Sequence, residues 1–485
     1  MGYRGKQPTA REWIGCVVLL AWGIDALGCS RQSRLIRKTQ LARLPSSVGS
    51  IAVADDATSY AYVEKKDGGG WVVHDGVAGS LFPTFGALTF SPVTRRVFYW
   101  AGGRVDDADE GFLVADGTKL GGDFAREATI VFSRDGRHWA TAGPTRNRRE
   151  GDVAGPGPVT ALADGRELGR YADASLPTFS PEGRHLAYLV AGPDGRARLI
   201  VDATERAAYA VPEAECAARM KPRASGPNPN FWPQFQVQYL SDGRLLVMTR
   251  DGDGWGIYRN GVRLASYEAS VVQSHPTLGE KCATVTAVSA WSFVAADKAP
   301  VAAWWERLQG REGRWRVVVD AKPADDVLCA KAWDRQPPAL SADGRHVAYA
   351  CAVTEPEERV FMVVDGRRYG PYRDVWAYAW SDDGAHVAFG AADASPEKPW
   401  RYYVDGKPRS EALSAVWRPR VEAGTGHLAW EAEPEQEGRG VLGIERRRIA
   451  SFDEVVWGPT FLRRGTVTWV IRRGRRLIRI DAPTA

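Results

Sequence analysis

Apolar residues in most of this chain stand in short runs that are separated by Gly-containing turns. Four of these runs share one phrase, in which an apolar residue and Ser precede a turn, and His and an apolar run with Ala follow it. The four copies are FSRDGRHWAT (132–141), FSPEGRHLAY (179–188), LSADGRHVAY (340–349) and WSDDGAHVAF (380–389). Asp-Gly or Glu-Gly between two β-prone runs predicts a β-hairpin.

A longer repeat unit surrounds each hairpin. About twenty residues further on, a second apolar run ends in its own turn, as in MVVDG (362–366) and YYVDG (402–406). We assign a further apolar stretch, such as 372–375, as the fourth strand, so that one unit has strands a, b, c and d. Gly344 and Gly384 are 40 residues apart, and four-stranded propeller blades repeat at roughly 40–45 residues.

Counting the weaker copies gives ten units between Val48 and Ala485. Strand b repeatedly carries Ala at one position, which fits a strand that neighbouring blades crowd on both faces. No helical periodicity is sustained outside the N-terminus. The sequence therefore predicts an all-β chain that forms a single large β-propeller of eight to ten four-stranded blades.

The hairpin phrase resembles the WD40-like repeat of TolB-type propellers. The resemblance covers essentially the whole chain after the N-terminal leader, residues 1–28, which is described below. This resemblance implies the propeller fold but no particular activity, because such propellers act as scaffolds, as binding discs and as gating domains of peptidases. The leader and the repeat count together divide the chain into three expected parts: a leader (1–28), a linker that can contain a ring-closing strand (29–47) and the propeller (48–485). The last unit stops after its third strand at 477–482, so residues 35–47 are expected to supply the missing outer strand.

The leader has basic residues, a short apolar stretch at 13–27 and then Ala-Leu-Gly-Cys. This ending resembles a bacterial lipoprotein signal with Cys29 as the lipid acceptor, although Ala26 and Asp25 depart from that pattern. The apolar stretch is shorter than the ~20 residues of a membrane-spanning helix. We expect an exported protein that is lipid-anchored on the periplasmic side or at the outer membrane, with an uncleaved short anchor as the alternative.

Four cysteines remain after the leader, and an envelope compartment permits disulfides. They allow three pairings, of which we predict Cys216 with Cys282 and Cys329 with Cys351; unpaired buried thiols are the alternative. The formal net charge of +5 is too small to indicate nucleic-acid binding. Basic residues crowd the last unit and the segment after residue 30, where solvated strand faces and nearby anionic headgroups explain them; a polyanion site is the less favoured explanation.

The long connections all fall between strands b and c or between strands d and a, which share one face of a propeller. Long loops on a rigid scaffold often carry binding sites, although they are also tolerated insertions. The ligand-face candidates combine aromatic and hydrogen-bonding groups: Arg148, Arg149, Arg223, Asn230, Phe231, Trp232, His275 and Trp400.

Motifs for catalysis and metal binding are not found in the sequence. Five of the seven histidines occupy one repeat position, one per blade, and so cannot meet around a metal at the ~2 Å that ligation needs. No GxSxG, HExxH or P-loop occurs. We therefore expect no cofactor, no metal, no nucleic-acid partner and a monomer.

These observations favour a non-catalytic envelope propeller that binds a protein, peptide or glycan through the long-loop face. The alternative is a propeller enzyme of glycosidase or lyase type with an active site in the central funnel. Such an enzyme needs two or more carboxylates or a metal set that converge from several blades.

Overall fold

The computed structural model describes residues 35–102, 111–124, 129–146, 156–171, 174–191, 196–209, 236–251, 254–268, 294–308, 314–330, 337–353, 359–393, 399–433 and 439–484. These ranges contain β-strands and turns and no helix, and hence no helix long and apolar enough to cross a membrane.

The strands form ten four-stranded antiparallel blades, which make a ten-bladed β-propeller. This architecture confirms the predicted all-β propeller. The number of blades, ten, is the upper end of the expected range. Strand β1 spans Arg37–Arg43 and belongs to the last blade.

Blades 1–3 follow in chain order. Blade 1 contains β2 (Val48–Val53), β3 (Tyr60–Lys66), β4 (Gly69–His74) and β5 (Val77–Phe82). Blade 2 contains β6 (Thr84–Phe90), β7 (Val97–Gly102), β8 (Gly111–Ala115) and β9 (Thr118–Phe124). Blade 3 contains β10 (Ile130–Phe132), β11 (Trp139–Arg146), β12 (Pro156–Ala163) and β13 (Arg166–Tyr171), and one pair, Phe124 with Thr145, joins its sheet to that of blade 2.

Blades 4–6 occupy the middle of the chain. Blade 4 contains β14 (Thr178–Phe179), β15 (Leu186–Ala191), β16 (Ala197–Val201) and β17 (Thr204–Tyr209). Blade 5 contains β18 (Gln236–Tyr239), β19 (Leu245–Asp251), β20 (Gly254–Arg259) and β21 (Val262–Glu268). Blade 6 contains β22 (Val294–Ala295), β23 (Ala302–Arg307), β24 (Trp315–Val319) and β25 (Lys322–Pro323).

Blades 7–10 complete the ring. Blade 7 contains β26 (Ala339–Leu340), β27 (Val347–Val353), β28 (Arg359–Val364) and β29 (Arg367–Tyr372). Blade 8 contains β30 (Asp374–Trp380), β31 (Val387–Ala392), β32 (Trp400–Val404) and β33 (Lys407–Pro408). Blade 9 contains β34 (Arg420–Val421), β35 (Leu428–Ala432), β36 (Gly440–Ile444) and β37 (Arg447–Phe452), and blade 10 contains β38 (Glu454–Arg463), β39 (Thr466–Arg473), β40 (Arg476–Pro483) and β1.

Strand d of each complete unit follows the c–d turn directly, so the assignment of 372–375 as a fourth strand was wrong. In blade 7, strand d is β29, and Asp374 already begins strand a of blade 8. The first strands of neighbouring blades lie against one another, and the d strands are largely exposed. Strand d is therefore the outer strand. Because its exposed residues are largely polar, apolar runs in the sequence do not predict its position.

Apolar residues between the blades form the core. A buried cluster bridges every pair of neighbours around the ring, and one of them, with Leu44, Tyr62 and Val470, joins blade 10 to blade 1. The repeated alanines of strand b are completely buried: Ala140, Ala187, Ala348, Ala388 and Ala429. Since both faces of strand b are covered, a larger side chain at this position would push two blades apart.

A side-chain oxygen in the c–d turn holds the two hairpins of a blade together in blades 1–9. In blade 7, Asp365 adopts φ +48°, its Oδ1 accepts the Val347 N–H at 2.9 Å, and its Oδ2 lies 2.8 Å from His346 Nδ1. The equivalent residues of blades 1–9 share the left-handed conformation and accept the N–H that begins strand b at 2.8–3.1 Å: Asp75, Asp116, Asp164, Asp202, Asn260, Asp320, Asp365, Asp405 and Glu445. Asp and Asn tolerate this conformation better than other residues with a Cβ. We call these residues the turn clamps.

Contacts between the a–b turns join one blade to the next. Ser91 Oγ donates to the Gly136 carbonyl at 2.6 Å, and Gly424 N–H donates to Asp383 Oδ2 at 2.6 Å. A Cβ on Gly384 would lie 3.0 Å from Ser341 Cβ, and Gly384 has φ +71°, so this turn needs glycine for both reasons. The a–b turns of neighbouring blades therefore contact one another on the same face of the propeller.

The ring closes through β1, which pairs antiparallel with β40 from Arg37 opposite Asp481 to Arg43 opposite Arg476. Leu44, directly after β1, is 1% exposed and packs in the cluster between blades 10 and 1. Arg479 adds hydrogen bonds to the carbonyls of Asp56 and Ala57 in blade 1. The N-terminal segment therefore gives blade 10 its fourth strand.

Cys329 and Cys351 are joined by a disulfide, with 5.3 Å between their Cα atoms. It links the chain that follows β25 to strand b of blade 7, and both residues are buried. The other predicted pair, Cys216 and Cys282, and the predicted lipid acceptor Cys29 lie outside the described residues.

The turn clamps predict a sharp difference between two substitutions at one position. Asp365→Asn keeps the acceptor oxygen, as Asn260 does in blade 5, and is expected to change stability little. Asp365→Ala leaves the Val347 N–H and His346 without their acceptor and places Ala at positive φ, which should cost about 2 kcal/mol or more. Urea denaturation of both variants measures this; equal stabilities would contradict the clamp.

Ring closure predicts that a chain starting at residue 48 melts at a lower temperature than one starting at residue 35, because β40 and the cluster around Leu44 become exposed. Within the intact chain, Leu44→Ala should lower the free energy of unfolding by about 2–4 kcal/mol. Leu35→Ala is the control, since Leu35 is 76% exposed. Equal melting temperatures for the two chain lengths would refute the closing role of β1.

Candidate functional site: a basic groove in blade 10

The two faces of the propeller differ in what their connections do. The a–b and c–d turns lie on one face, which we call the short-turn face, and the turn clamps occupy it. The b–c and d–a connections leave from the opposite, long-loop face. Seven predicted ligand-face residues lie outside the described residues: Arg148, Arg149, Arg223, Asn230, Phe231, Trp232 and His275.

Trp400 is the predicted ligand-face residue that the structure describes. It begins strand c of blade 8, at the end that faces the long-loop side. Its backbone pairs with Leu413 through two hydrogen bonds of 2.8 Å, and its half-buried ring packs against the core cluster between blades 8 and 9. These contacts give Trp400 a packing role.

A groove of about 980 Å3 runs along β1 beside blade 10 and reaches the long-loop end of this blade. Strand β1, the β39–β40 turn and the start of β36 in blade 9 supply its walls. The residues that line it are Lys38, Gln40, Arg43, Arg439, Arg473, Gly474, Arg475, Arg476 and Ile478. Six of these nine residues are cationic, and we call this site the basic groove.

Three arginines of the basic groove stand in one row across the sheet. Arg43 in β1 lies opposite Arg476 in β40, and Arg473 in β39 also lies opposite Arg476. Directly opposite residues have Cβ atoms about 4.5–5.5 Å apart and share a face of the sheet, and like charges in such pairs are destabilising. Within the described part of the chain, these three side chains and Lys38 have no hydrogen bond or ion pair.

Asp453 is the carboxylate that meets this groove. Its Oδ1 accepts a hydrogen bond from Arg439 Nε at 2.7 Å, and its Oδ2 accepts one from the Gly474 N–H at 2.5 Å. The Gly474 hydrogen bond and the Arg439 guanidinium lower the pKa of Asp453 below its usual value. Asp453 thus holds the β39–β40 turn in place and satisfies one of the six cations.

Arg475 has a structural role beside the groove. Its Nε donates to the Leu44 carbonyl at 3.1 Å, and its own carbonyl accepts the Leu44 N–H at 2.8 Å. These bonds fix the end of β1 against the β39–β40 turn. They also leave Lys38, Arg43, Arg473 and Arg476 as the cations that can engage a ligand.

The buried carboxyl groups of the described residues are Glu422 and Glu431, both in blade 9. Burial raises the pKa of Glu422, but hydrogen bonds from Gly465 N–H and the hydroxyls of Thr425 and Thr484 outweigh burial and lower it. Glu422 is therefore an ionised link between blades 9 and 10.

Glu431 is different, because burial raises its pKa to about 7 against a smaller opposing effect of Arg418. Its Oε2 has no hydrogen-bond partner among the described residues. Strand alternation places its side chain on the same face of β35 as Ala429, which packs against blade 10. Glu431 therefore lies between two blades rather than opposite a second acid in the funnel.

Sequence reasoning missed the basic groove because its cations come from opposite ends of the chain. The arginines of the last unit and the basic residues after the leader were noticed separately, and Arg43 and Arg439 were not singled out. The signal was present in the closing strand: if residues 35–47 complete blade 10, their charges must stand beside those of β40.

Comparisons with known proteins identify no family for this chain. No family model matches this sequence, and no curated protein matches it. Similar solved structures include a eukaryotic initiation factor, at 12% identity over 78% of this chain and 92% of that chain with a TM-score of 0.42. Puromycin hydrolase matches at 14% identity over 74% of this chain with a TM-score of 0.30, and this chain spans 60% of its length. These likenesses are too weak to carry an argument about function.

The raised pKa of Glu431 predicts a pH-dependent loss of stability. An unfolded chain ionises this carboxyl near the ordinary glutamate pKa of 4.5, whereas the folded chain holds the proton up to about pH 7. The contribution of protonated Glu431 to the free energy of unfolding is fully present below pH 4.5. It is lost as the pH rises from 4.5 through 7, and the free energy of unfolding no longer changes through this group above pH 7. Glu431→Gln stays neutral, so at pH 8.5 it should be about 2–3 kcal/mol more stable than the parent chain.

At pH 4.5 the two proteins should differ little in stability, as measured by urea denaturation at both pH values. Glu433→Gln is the matched control, because Glu433 is exposed and lies two residues after Glu431, directly beyond the end of β35. An equal gain from both substitutions at pH 8.5 would rule out burial of Glu431 as the cause.

Proposed function

We propose that this chain is a non-catalytic β-propeller of the bacterial cell envelope that binds a protein, peptide or glycan through its long-loop face. The observation that carries the proposal is the basic groove. It gathers four cations without a partner among the described residues: Arg43, Arg473 and Arg476 lie at the long-loop end of blade 10, and Lys38 lies further along β1. Like charges held together without compensation destabilise the sheet, which a ligand of opposite charge would reverse.

The contrast between the faces supports the same proposal. On the short-turn face, the carboxylates and serines of the repeat are used in hydrogen bonds within and between blades, as Ser341, Asp343 and His346 illustrate. The polar groups there serve the scaffold. The long-loop face carries the long connections and the cations of the groove, so it is the surface that we assign to the partner.

The direction of β1 supports a tethered arrangement. This strand runs from Arg37, beside the short-turn face, to Arg43, beside the long-loop face. A lipid on Cys29, eight residues before Arg37, would therefore be attached on the short-turn side, within roughly 27 Å of β1. The long-loop face would then point away from the membrane toward a partner.

An enzymatic function has one observation in its favour, the raised pKa of Glu431. A glycosidase needs a second carboxyl about 5–10 Å away, and the second buried acid that we find, Glu422, is engaged by three hydrogen-bond donors. Binding is therefore the better supported function.

The proposal can be tested by shortening the two longest connections, 210–235 and 269–293, to Gly-Ser linkers and replacing the groove residues Arg43, Arg473 and Arg476 with Gln in the same protein. Immobilised parent and shortened proteins are compared for proteins and glycans retained from an envelope extract of the source bacterium. We expect the shortened protein to lose the retained partner and to keep its melting temperature, because the blades do not depend on long surface loops.

Substitution of exposed residues on the outer strands, Val77→Ser and Val262→Ser, is the matched control and should leave retention unchanged. Unchanged retention after shortening the loops and replacing the groove arginines would contradict the proposal. Hydrolysis of a glycan or peptide panel that is lost in Glu431→Gln would favour the enzyme instead.

A further inference from the structure

We propose that the basic groove of blade 10 binds an extended acidic peptide segment, whose Asp and Glu carboxylates engage Lys38, Arg43, Arg473 and Arg476. This inference rests on the proposed function and names the class of partner for one part of the long-loop face. The fold juxtaposes β1 with β39 and β40, so the site exists only when the ring is closed.

The arginine row identifies the chemistry of the ligand. A guanidinium group offers a planar fork of donors that matches a carboxylate in two parallel hydrogen bonds. The groove already contains one example, since Arg439 donates to the Asp453 carboxylate at 2.7 Å. Arg43, Arg473 and Arg476 present the same group with no acceptor among the described residues. Carboxylates from outside the blade would satisfy them.

The shape of the groove fits an extended chain. Lys38 and Arg43 are five residues apart on β1, which corresponds to roughly 17 Å along a strand. An extended peptide of five or six residues covers this length, and its alternate side chains share one face. Gln40 lies between the cations and can hydrogen-bond a peptide backbone, while Ile478 gives the groove an apolar floor for side-chain stems.

The groove fits other anionic partners less well. Its described lining contains no aromatic residue, whereas single-stranded nucleic acids and most glycans are held by stacking on aromatic side chains. An anionic membrane is a planar surface, and this site is a groove between the edges of two blades.

The test measures fluorescence anisotropy of a labelled octaglutamate peptide with the full-length protein at low salt. We expect saturable binding that weakens as salt is added, because the contacts are charge pairs. Octaglutamine of the same length should not bind. Further arms use a sulfated glycan, an oligothymidylate and vesicles that contain anionic lipid.

The groove variant carries Arg43→Gln, Arg473→Gln and Arg476→Gln. Its matched control carries Arg137→Gln, Arg184→Gln and Arg345→Gln, which removes the same charge from one repeat position on the short-turn face. The groove variant should bind octaglutamate about tenfold more weakly or worse, and the control should bind within about twofold of the parent. A third variant, with the same three groove arginines replaced by Glu, should bind octalysine in place of octaglutamate.

Equal weakening in the groove variant and its control would overturn the inference, because it would show binding to net charge alone. Tighter binding of the vesicles, oligothymidylate or sulfated glycan than of octaglutamate would overturn it in favour of that partner. The proposed function fails separately, when the protein with shortened loops and substituted groove arginines still retains the envelope partner. Octaglutamate binding to the parent protein is a different measurement, so the two failures can be told apart.

Discussion

One hydrogen-bonded contact, repeated around the ring, organises this propeller: the carboxylate or amide of a c–d turn accepts the N–H that begins strand b. Because the turn residue sits in the left-handed region, its side chain folds back toward the a–b turn, where the histidine ring meets it in four blades. The contact fixes two hairpins as one blade. Blades of fixed shape can then pack through the small alanines of strand b.

The same contact explains why the two faces differ. A face whose polar side chains bind one another has few groups left for a ligand, and its turns cannot lengthen without breaking the clamps. The opposite face has no such constraint, so its connections vary in length along the chain. In this propeller, the short-turn face therefore contains the structural hydrogen bonds, and the long-loop face is the one that we propose for binding.

Ring closure connects the scaffold to the candidate site. The last repeat provides three strands, and β1 completes it across the largest sequence separation in the fold, with Leu44 bonded to Arg475. This pairing buries the open edge of β40 and at the same time sets Arg43 beside Arg476. The strand that stabilises the ring thus creates a row of like charges. The burial of the apolar cluster around Leu44 compensates for the repulsion between these charges.

The sequence by itself determined the all-β propeller, the repeat length and the a–b hairpins, because apolar alternation and Asp-Gly turns are local signals. It misplaced strand d, whose exposed positions carry little apolar pattern, as in β29. Sequence reasoning also identified the basic residues near both chain ends, but it did not predict that they lie beside one another. Only the tertiary structure decided that Lys38, Arg43, Arg439, Arg473 and Arg476 line one groove, because strand pairing between distant segments sets which charges become neighbours and no local pattern encodes that register.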